Sequence, residues 1–479
     1  MAVLSSLEPK QVFKYFEEIS SVPRGSGNMN GIADFCVNFA EKHGLKYIRD
    51  DANNVVIYKD AAKGYESAEP IILQGHLDMV CQKDDESSFD FEKDGIELLI
   101  DGEFIKANGT TLGADNGIAV AIILSILESD SIPHPAIEAV FTTDEEIGMI
   151  GATAFDSSVL SAKKMINLDS EEINCVTVSC AGGSDFTAKL PVEREKVSGN
   201  EITITLKGLK GGHSGICINE GRVNANLLAG RILNYLNNNA KFNLVSVSGG
   251  DKINAITPIC EIKVITTDDN FKTVAEKYID EIKTEIAHRE PEFFAEIDLL
   301  ENKTADGMVK KSQDNVIYAL LLAPNGVIEM SAEIDGLVET SLNLGILKTE
   351  ETYVSYSFGL RSNKKTAIKF LDDKLTAFFS PLSAEILRGG YYPPWEFNDH
   401  SELQKLYIDS YVAQFGEMPK VEAIHAGLEC GVFADKIDGF DAIAIGPQMY
   451  DVHTVKERLE IKSVGEIYKL LLKILENCR

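Results

Sequence analysis

The stretch IEAVFTTDEE, residues 137–146, begins as an apolar run and ends in three acids. An apolar run of this length, bounded by polar residues, reads as a buried strand. The three carboxylates of Asp144, Glu145 and Glu146 repel one another, and partial burial raises their pKa further. Either water solvates all three, or positive charge lies among them. The same arrangement recurs along the chain. IILQGHLD (71–78) carries His76 and Asp78 at its polar end, and KMINLD (164–169) ends in Asp169. DAIAIG (441–446) is followed by a loop with His453, and TTLGADNG (110–117) places Asp115 before the apolar helix pattern GIAVAIILSILES. Strands alternating with helices predict an α/β fold with a mostly parallel, doubly wound sheet. In such a sheet the carboxyl ends of the strands open onto one crevice, so residues remote in sequence can converge there.

The middle of the chain reads differently. EITITLKGL (201–209) alternates as a half-exposed strand, with a helix expected near 222–236. DKINAIT and CEIKVITT follow as an expected strand pair, and a helical stretch covers about 271–289. Strand and helix patterns then recur through SAEILRG, so an internal duplication is one reading of this region. These features predict an α+β lid domain over 187–397, inserted into a catalytic domain formed by 1–186 and 398–479. The double proline in GYYPPWEF (390–397) suits the return crossing.

Composition narrows the function classes. The 479 residues are 44% hydrophobic, enough for a large core split over two or more domains. The formal net charge of −29 disfavours nucleic acid and anionic membranes as partners. The longest apolar stretch, IAVAIILSIL, is too short to span a bilayer, and MAVLSSLEPK lacks the charged and apolar regions of a secretory signal. Eight cysteines without a CxxC pair read as reduced thiols. A cytoplasmic protein is expected.

Two imidazoles and several carboxylates suit a borderline divalent metal: zinc, with cobalt or manganese as the alternatives. Two dications would be balanced by Asp115, Glu146, Asp169 and one hydroxide, which explains how so many acids share a cleft. Glu145 is then left over as a base. Each residue also has a plainer reading. Asp115 can cap a helix, Asp169 can end a turn, His76 can be a core histidine and the acids can form a solvated strand end.

The ordered motifs QGHLDMV, TLGADNGIAVA, TTDEEIGMIGA, INLDSEE, GGHSG and YDVHT resemble those of the co-catalytic zinc aminoacylase/carboxypeptidase superfamily. The long insertion and AIHAGLECG (423–431) resemble the aminoacyl-histidine dipeptidases, the bacterial carnosinase-like Xaa-His dipeptidases. The resemblance implies two zinc ions per chain, one held by His76, Asp115 and Asp169, the other by Glu146, His453 and the shared Asp115. It implies a cis peptide bond at Asp115–Asn116. It also implies a metal-activated water with Glu145 as general base, and Asp78 orienting His76 as a further catalytic residue. His213, Asn254 and Arg361 would bind substrate from the lid, Arg361 gripping a carboxylate. The implied substrates are short peptides, foremost Xaa-His dipeptides. An N-acyl amino acid amidase and a non-catalytic binding protein on the same scaffold are the rival readings. Homodimerisation and the roles of His425 and Glu429 stay open.

Overall fold

A computed structural model describes residues 3–479. They divide into two compact units. The first comprises the residues up to Cys180, Phe397–Ala423 and Leu428–Arg479; the second comprises Ala181–Glu396 and Ile424–Gly427.

The first unit is built on an eight-stranded sheet. Its order is Lys46–Arg49, Val55–Lys59, Ile137–Thr142, Ile71–His76, Lys164–Asn167, Asp441–Ala444, Cys175–Cys180 and Lys420–Ile424. Ile71–His76 runs parallel to both Ile137–Thr142 and Lys164–Asn167, and the latter runs parallel to Asp441–Ala444. The expected parallel sheet therefore forms the centre, while Lys46–Arg49 and Val55–Lys59 add an antiparallel edge. Every residue of Ile71–His76 and Ile137–Thr142 is buried, as strands covered on both faces must be. The helix Ala114–Glu128 is buried nearly all round, and the closing helix Ile461–Asn477 buries one face through Val464, Ile467, Leu471 and Ile474. Among the described residues no helix is long and apolar enough to cross a membrane.

The second unit centres on a nine-stranded sheet in which the two halves repeat one pattern. The first half runs Arg194–Lys207, helix Ala225–Asn239, Asn243–Gly249, Cys260–Thr266, helix Phe271–Ile286 and Phe294–Met308. The second runs Gly182–Pro191, helix Lys310–Leu322, Val338–Thr349, Tyr353–Ser362, helix Lys365–Phe379 and Glu385–Tyr392. Corresponding strands take mirrored places on either side of the contact between Asn243–Gly249 and Val338–Thr349. The repeat legible in the sequence is thus a duplicated α+β pattern, with Gly182–Pro191 supplying an opening strand that the sequence pattern concealed. All four helices bury Leu233, Ile282, Ile317, Leu375 and their neighbours in one cluster against alternate strand residues such as Ile202, Ile204 and Leu206. Side chains at the intervening positions belong to the opposite sheet face.

One expectation fails. DKINAIT and CEIKVITT do not pair with each other. Ala255–Ile256 pairs with Gly212–His213, and Cys260–Thr266 pairs with Asn243–Gly249 and Arg194–Lys207. Gly250, with φ +83° and no room for a Cβ against the Gly345 carbonyl, ends Asn243–Gly249 just before DKINAIT, and it is Asn243–Gly249 that pairs with Cys260–Thr266.

Candidate functional site

In the first unit, parallel register brings the polar strand ends to one edge of the sheet. His76 closes its strand, Asp144–Glu146 follow Ile137–Thr142, and Asp169 follows Lys164–Asn167. His76 Nε2 lies 3.1 Å from Asp115 Oδ1 and 3.5 Å from Asp169 Oδ1. His453 Nε2 lies 3.0 Å from the other Asp115 oxygen and 3.0 Å from Glu146 Oε1. All five expected ligand residues therefore meet, and Asp115 turns one oxygen to each imidazole. One ligand atom each from His76, Asp115 and Glu146 lie within 4.8 Å of one another.

The donor set fits divalent metal. Zinc bonds of 2.0–2.2 Å in tetrahedral geometry place neighbouring ligand atoms about 3.3 Å apart, close to the separations seen. The charge distribution points the same way. Burial works against a charge on His76, yet Asp169, Asp115 and Asp78 hold its pKa well above the ordinary histidine value. Hydrogen bonds to Asp115 and Glu146 push His453 up to about 11. Asp115, despite its burial, is held low by the two imidazoles, whereas burial lifts Asp169 to about 6. The cluster draws cations even from its own histidines.

Asp78 ties several pieces together. Its Oδ1 lies 3.3 Å from His76 Nδ1, and it accepts hydrogen bonds from the backbone N–H groups of Glu145 and Glu146 and from the Ser26 hydroxyl. Glu145 itself is pushed well above the usual carboxylate range by burial, with Asp169, Glu429 and Glu146 adding to the shift. Asp144 leaves the cluster: at φ 52° its carboxylate accepts from the Gly27 N–H at 2.6 Å.

Three supporting residues were not singled out by their sequence. The Asp115–Asn116 bond is cis, and the Asn116 side chain joins two ligand segments, donating to Asp169 Oδ1 at 2.8 Å and accepting from the His76 N–H at 3.1 Å. Glu457, 3% exposed, accepts from the backbone N–H groups of Leu112, Gly113, Ala114 and Asp115 at 2.8–3.4 Å. It lies four residues after His453, so one loop supplies a ligand and anchors the loop of another. Arg24, within a stretch that reads only as a loop entering a helix, is buried and donates to the carbonyls of Leu77, Asp78 and Gly113. Gly113 has φ +67°, and a Cβ there would strike the Arg24 guanidinium, so glycine is required.

Glu429 is fully buried in the same unit. Its Oε2 accepts from Gln74 at 2.5 Å and Thr142 at 2.7 Å, Gln74 in turn accepts from Asn167, and burial raises the Glu429 carboxyl to about 7. This chain of side chains links three neighbouring strands.

The second unit gathers His213, Arg361 and Asn254 on its own. The ring atom His213 Nδ1 accepts from the Gly215 and Ile216 N–H groups, so Nε2 carries the proton. The backbone carbonyl of Asn254 accepts from the Ser214 N–H at 2.9 Å, placing the residue beside His213. Arg361 Nη2 lies 3.5 Å from His213 Nε2, and Arg361 Nη1 donates to the Tyr392 hydroxyl at 2.7 Å. Two N–H donors cannot satisfy each other, so Arg361 and His213 make a place for an anion.

The family model described as Peptidase family M20/M25/M40 matches residues 72–477. The chain is 36% identical over 481 residues to the cytosol non-specific dipeptidase of Escherichia coli strain K12, covering 99% of each. The crystal structure of aminoacylhistidine dipeptidase from Vibrio alginolyticus superposes with a TM-score of 0.90 at 35% identity, over 99% of this chain and 98% of that one. A tripeptidase structure from Staphylococcus aureus shares the fold, with a TM-score of 0.56 at 16% identity over 98% and 99% of the two chains. With strand-end acids and histidines converging as they do, this chain belongs to Peptidase family M20/M25/M40 and is a hydrolase of peptide bonds.

Proposed function

We propose that the chain is a cytoplasmic di-zinc dipeptidase whose preferred substrates are Xaa-His dipeptides. The placement of Asp115 carries this reading, because its two oxygens face two separate imidazoles, each with a further carboxylate beside it. The name of the Escherichia coli relative supports dipeptides as substrates and the compartment, and that of the Vibrio alginolyticus relative supports histidine-containing dipeptides.

In this reading His76, Asp115 and Asp169 hold one ion, and Glu146, His453 and Asp115 the other. When bound, such ions polarise a carbonyl and lower the pKa of water to about 7. Glu145 takes the proton of the attacking water and returns it to the leaving amine. A single carboxyl group can serve both halves of that transfer, as base and then as acid. Asp78 fixes the His76 ring through Nδ1. The first unit is the catalytic domain and the second a lid, in which Arg361 grips the substrate carboxylate while His213 and Asn254 assist.

The test is elemental analysis of the purified protein combined with Glu145→Gln. Two zinc ions per chain are expected, retained in the variant, with kcat lowered by about 100- to 10,000-fold. Undiminished hydrolysis by Glu145→Gln would remove it as the base. A comparison of alanyl-histidine with N-acetyl-histidine separates the peptidase from the amidase; faster turnover of the acetylated compound overturns the dipeptide assignment.

A further inference from the structure

His425 lies in the short segment Ile424–Gly427 that packs with the second unit. It is 7% exposed, its Nε2 lies 2.7 Å from the Ser341 hydroxyl, and its Nδ1 is buried without a hydrogen-bond partner. A buried ring nitrogen left unsatisfied is destabilising, so its persistence calls for a reason.

Sheet register shows what surrounds it. Ser341 on Val338–Thr349 stands directly opposite Arg361 on Tyr353–Ser362, and Arg361 stands opposite Gly183 on Gly182–Pro191. Gly183 in turn faces Tyr392 on the edge strand Glu385–Tyr392. Leu342, Leu360 and Phe186 belong to the core against the helices, so the alternating Ser341–Arg361 row occupies the other face. Directly opposed residues have Cβ atoms about 5 Å apart. A ring bonded to Ser341 therefore flanks the Arg361 guanidinium. Tyr392 reaches that guanidinium from the far side, across a position where any Cβ would meet its ring at 2.6 Å. On the third side the His425 carbonyl approaches Gly215 closely, within the turn that fixes His213 Nδ1. Burial, with Arg361 and His213 adding to it, keeps the His425 ring neutral, so it meets an incoming anion as an N–H donor.

We infer that His425 is a specificity-determining residue: oriented by Ser341, it donates Nδ1–H to the free C-terminal carboxylate of a short peptide, beside the donors of Arg361 and His213. In this assignment Ser341 donates to Nε2, which leaves the proton on Nδ1. A carboxylate offers enough lone pairs for all three donors. The inference rests on the proposed reading of Arg361 as the carboxylate grip.

Two substitutions separate substrate contact from packing. His425→Asn puts an amide where Nδ1 stands and loses the Ser341 bond; His425→Gln reaches Ser341 and loses Nδ1. Kinetics are measured on alanyl-histidine and on its C-terminal amide, with metal content determined alongside. For the free acid, His425→Gln is expected to raise KM about 10-fold, a loss consistent with one hydrogen bond to a charged group. His425→Asn is expected to stay within a few-fold of the parent. Kinetics on the amide, kcat and metal content stay unchanged in both, and Ser341→Ala shows a smaller rise in KM on the acid alone. Equal KM values for parent and Gln variant, or equal losses on acid and amide, overturn the inference. A reversed order, with Asn damaged and Gln intact, assigns His425 to packing and overturns it too. If the unaltered protein fails to cleave alanyl-histidine, the proposed function itself falls, a result distinct from any of these.

Discussion

The two units solve opposite electrostatic problems. In the first, Asp115, Glu146 and Asp169 crowd carboxylates together, and the imidazoles of His76 and His453 are drawn toward the charged state. In the second, Arg361 and two imidazoles crowd donors together, and His213 and His425 are pushed toward neutrality, His425 to about 3. The same side chain titrates in opposite directions according to its company. One cluster gathers negative charge, the other N–H donors. Their supports differ accordingly: the anionic cluster is braced by backbone N–H groups and Arg24, the cationic one by a row of residues across four strands.

The sharpest way to break this contrast is Glu457→Gln. An amide places N–H donors against backbone N–H groups in a buried position, which releases the loop bearing Asp115. Zinc affinity, measured by calorimetry on the metal-free protein, is expected to fall about 10- to 100-fold, the usual range for residues that orient ligands. An unchanged isotherm would show that the loop holds its place without the carboxylate. Arg361→Ala should act on the other cluster alone. The KM for alanyl-histidine is expected to rise about 10-fold or more with zinc content unaltered, and loss of metal in this variant would dissolve the division of labour.

The smallest effect concerns pH. The His425 pKa is lowered from 6.5 to about 3 in the folded chain, so between those values the unfolded chain binds the extra proton. The stabilisation is present above 6.5 and is lost as pH falls, by about 1.4 kcal/mol per unit below it. Thermal melting of the parent minus that of His425→Gln should therefore decline from pH 7.5 to pH 5. A constant difference would mean that the ring titrates alike in the folded and unfolded chains.

Much of the first cluster is legible from residue order because most of its residues follow an apolar run. His76 ends a buried strand, Glu146 and Asp169 lie shortly beyond two others, and parallel pairing makes strand ends neighbours almost by necessity. Glu457 is traceable in retrospect, since HTVKE places an acid four residues past His453. Arg24 left no signal: a buried guanidinium held by carbonyls looks, in sequence, like any surface arginine before a glycine-rich loop. In the second unit His213, Asn254 and Arg361 were reached by resemblance, whereas Ser341 and Tyr392 sit in strand patterns that any hydroxyl-bearing residue could fill. The mistaken pairing of DKINAIT with CEIKVITT has the same root, since strand character specifies an edge that can pair but not its partner.

By itself the amino-acid sequence determined the α/β character of the chain, the insertion that interrupts it and the set of histidines and acids near strand ends, because hydrophobic period and strand-end chemistry are local. Only tertiary structure decided that Asp115 serves two imidazoles, that Glu457 and Arg24 hold its loop, and that Ser341 and His425 flank Arg361. Those facts depend on hydrogen-bond register and on contacts between segments tens to hundreds of residues apart, which no local pattern encodes.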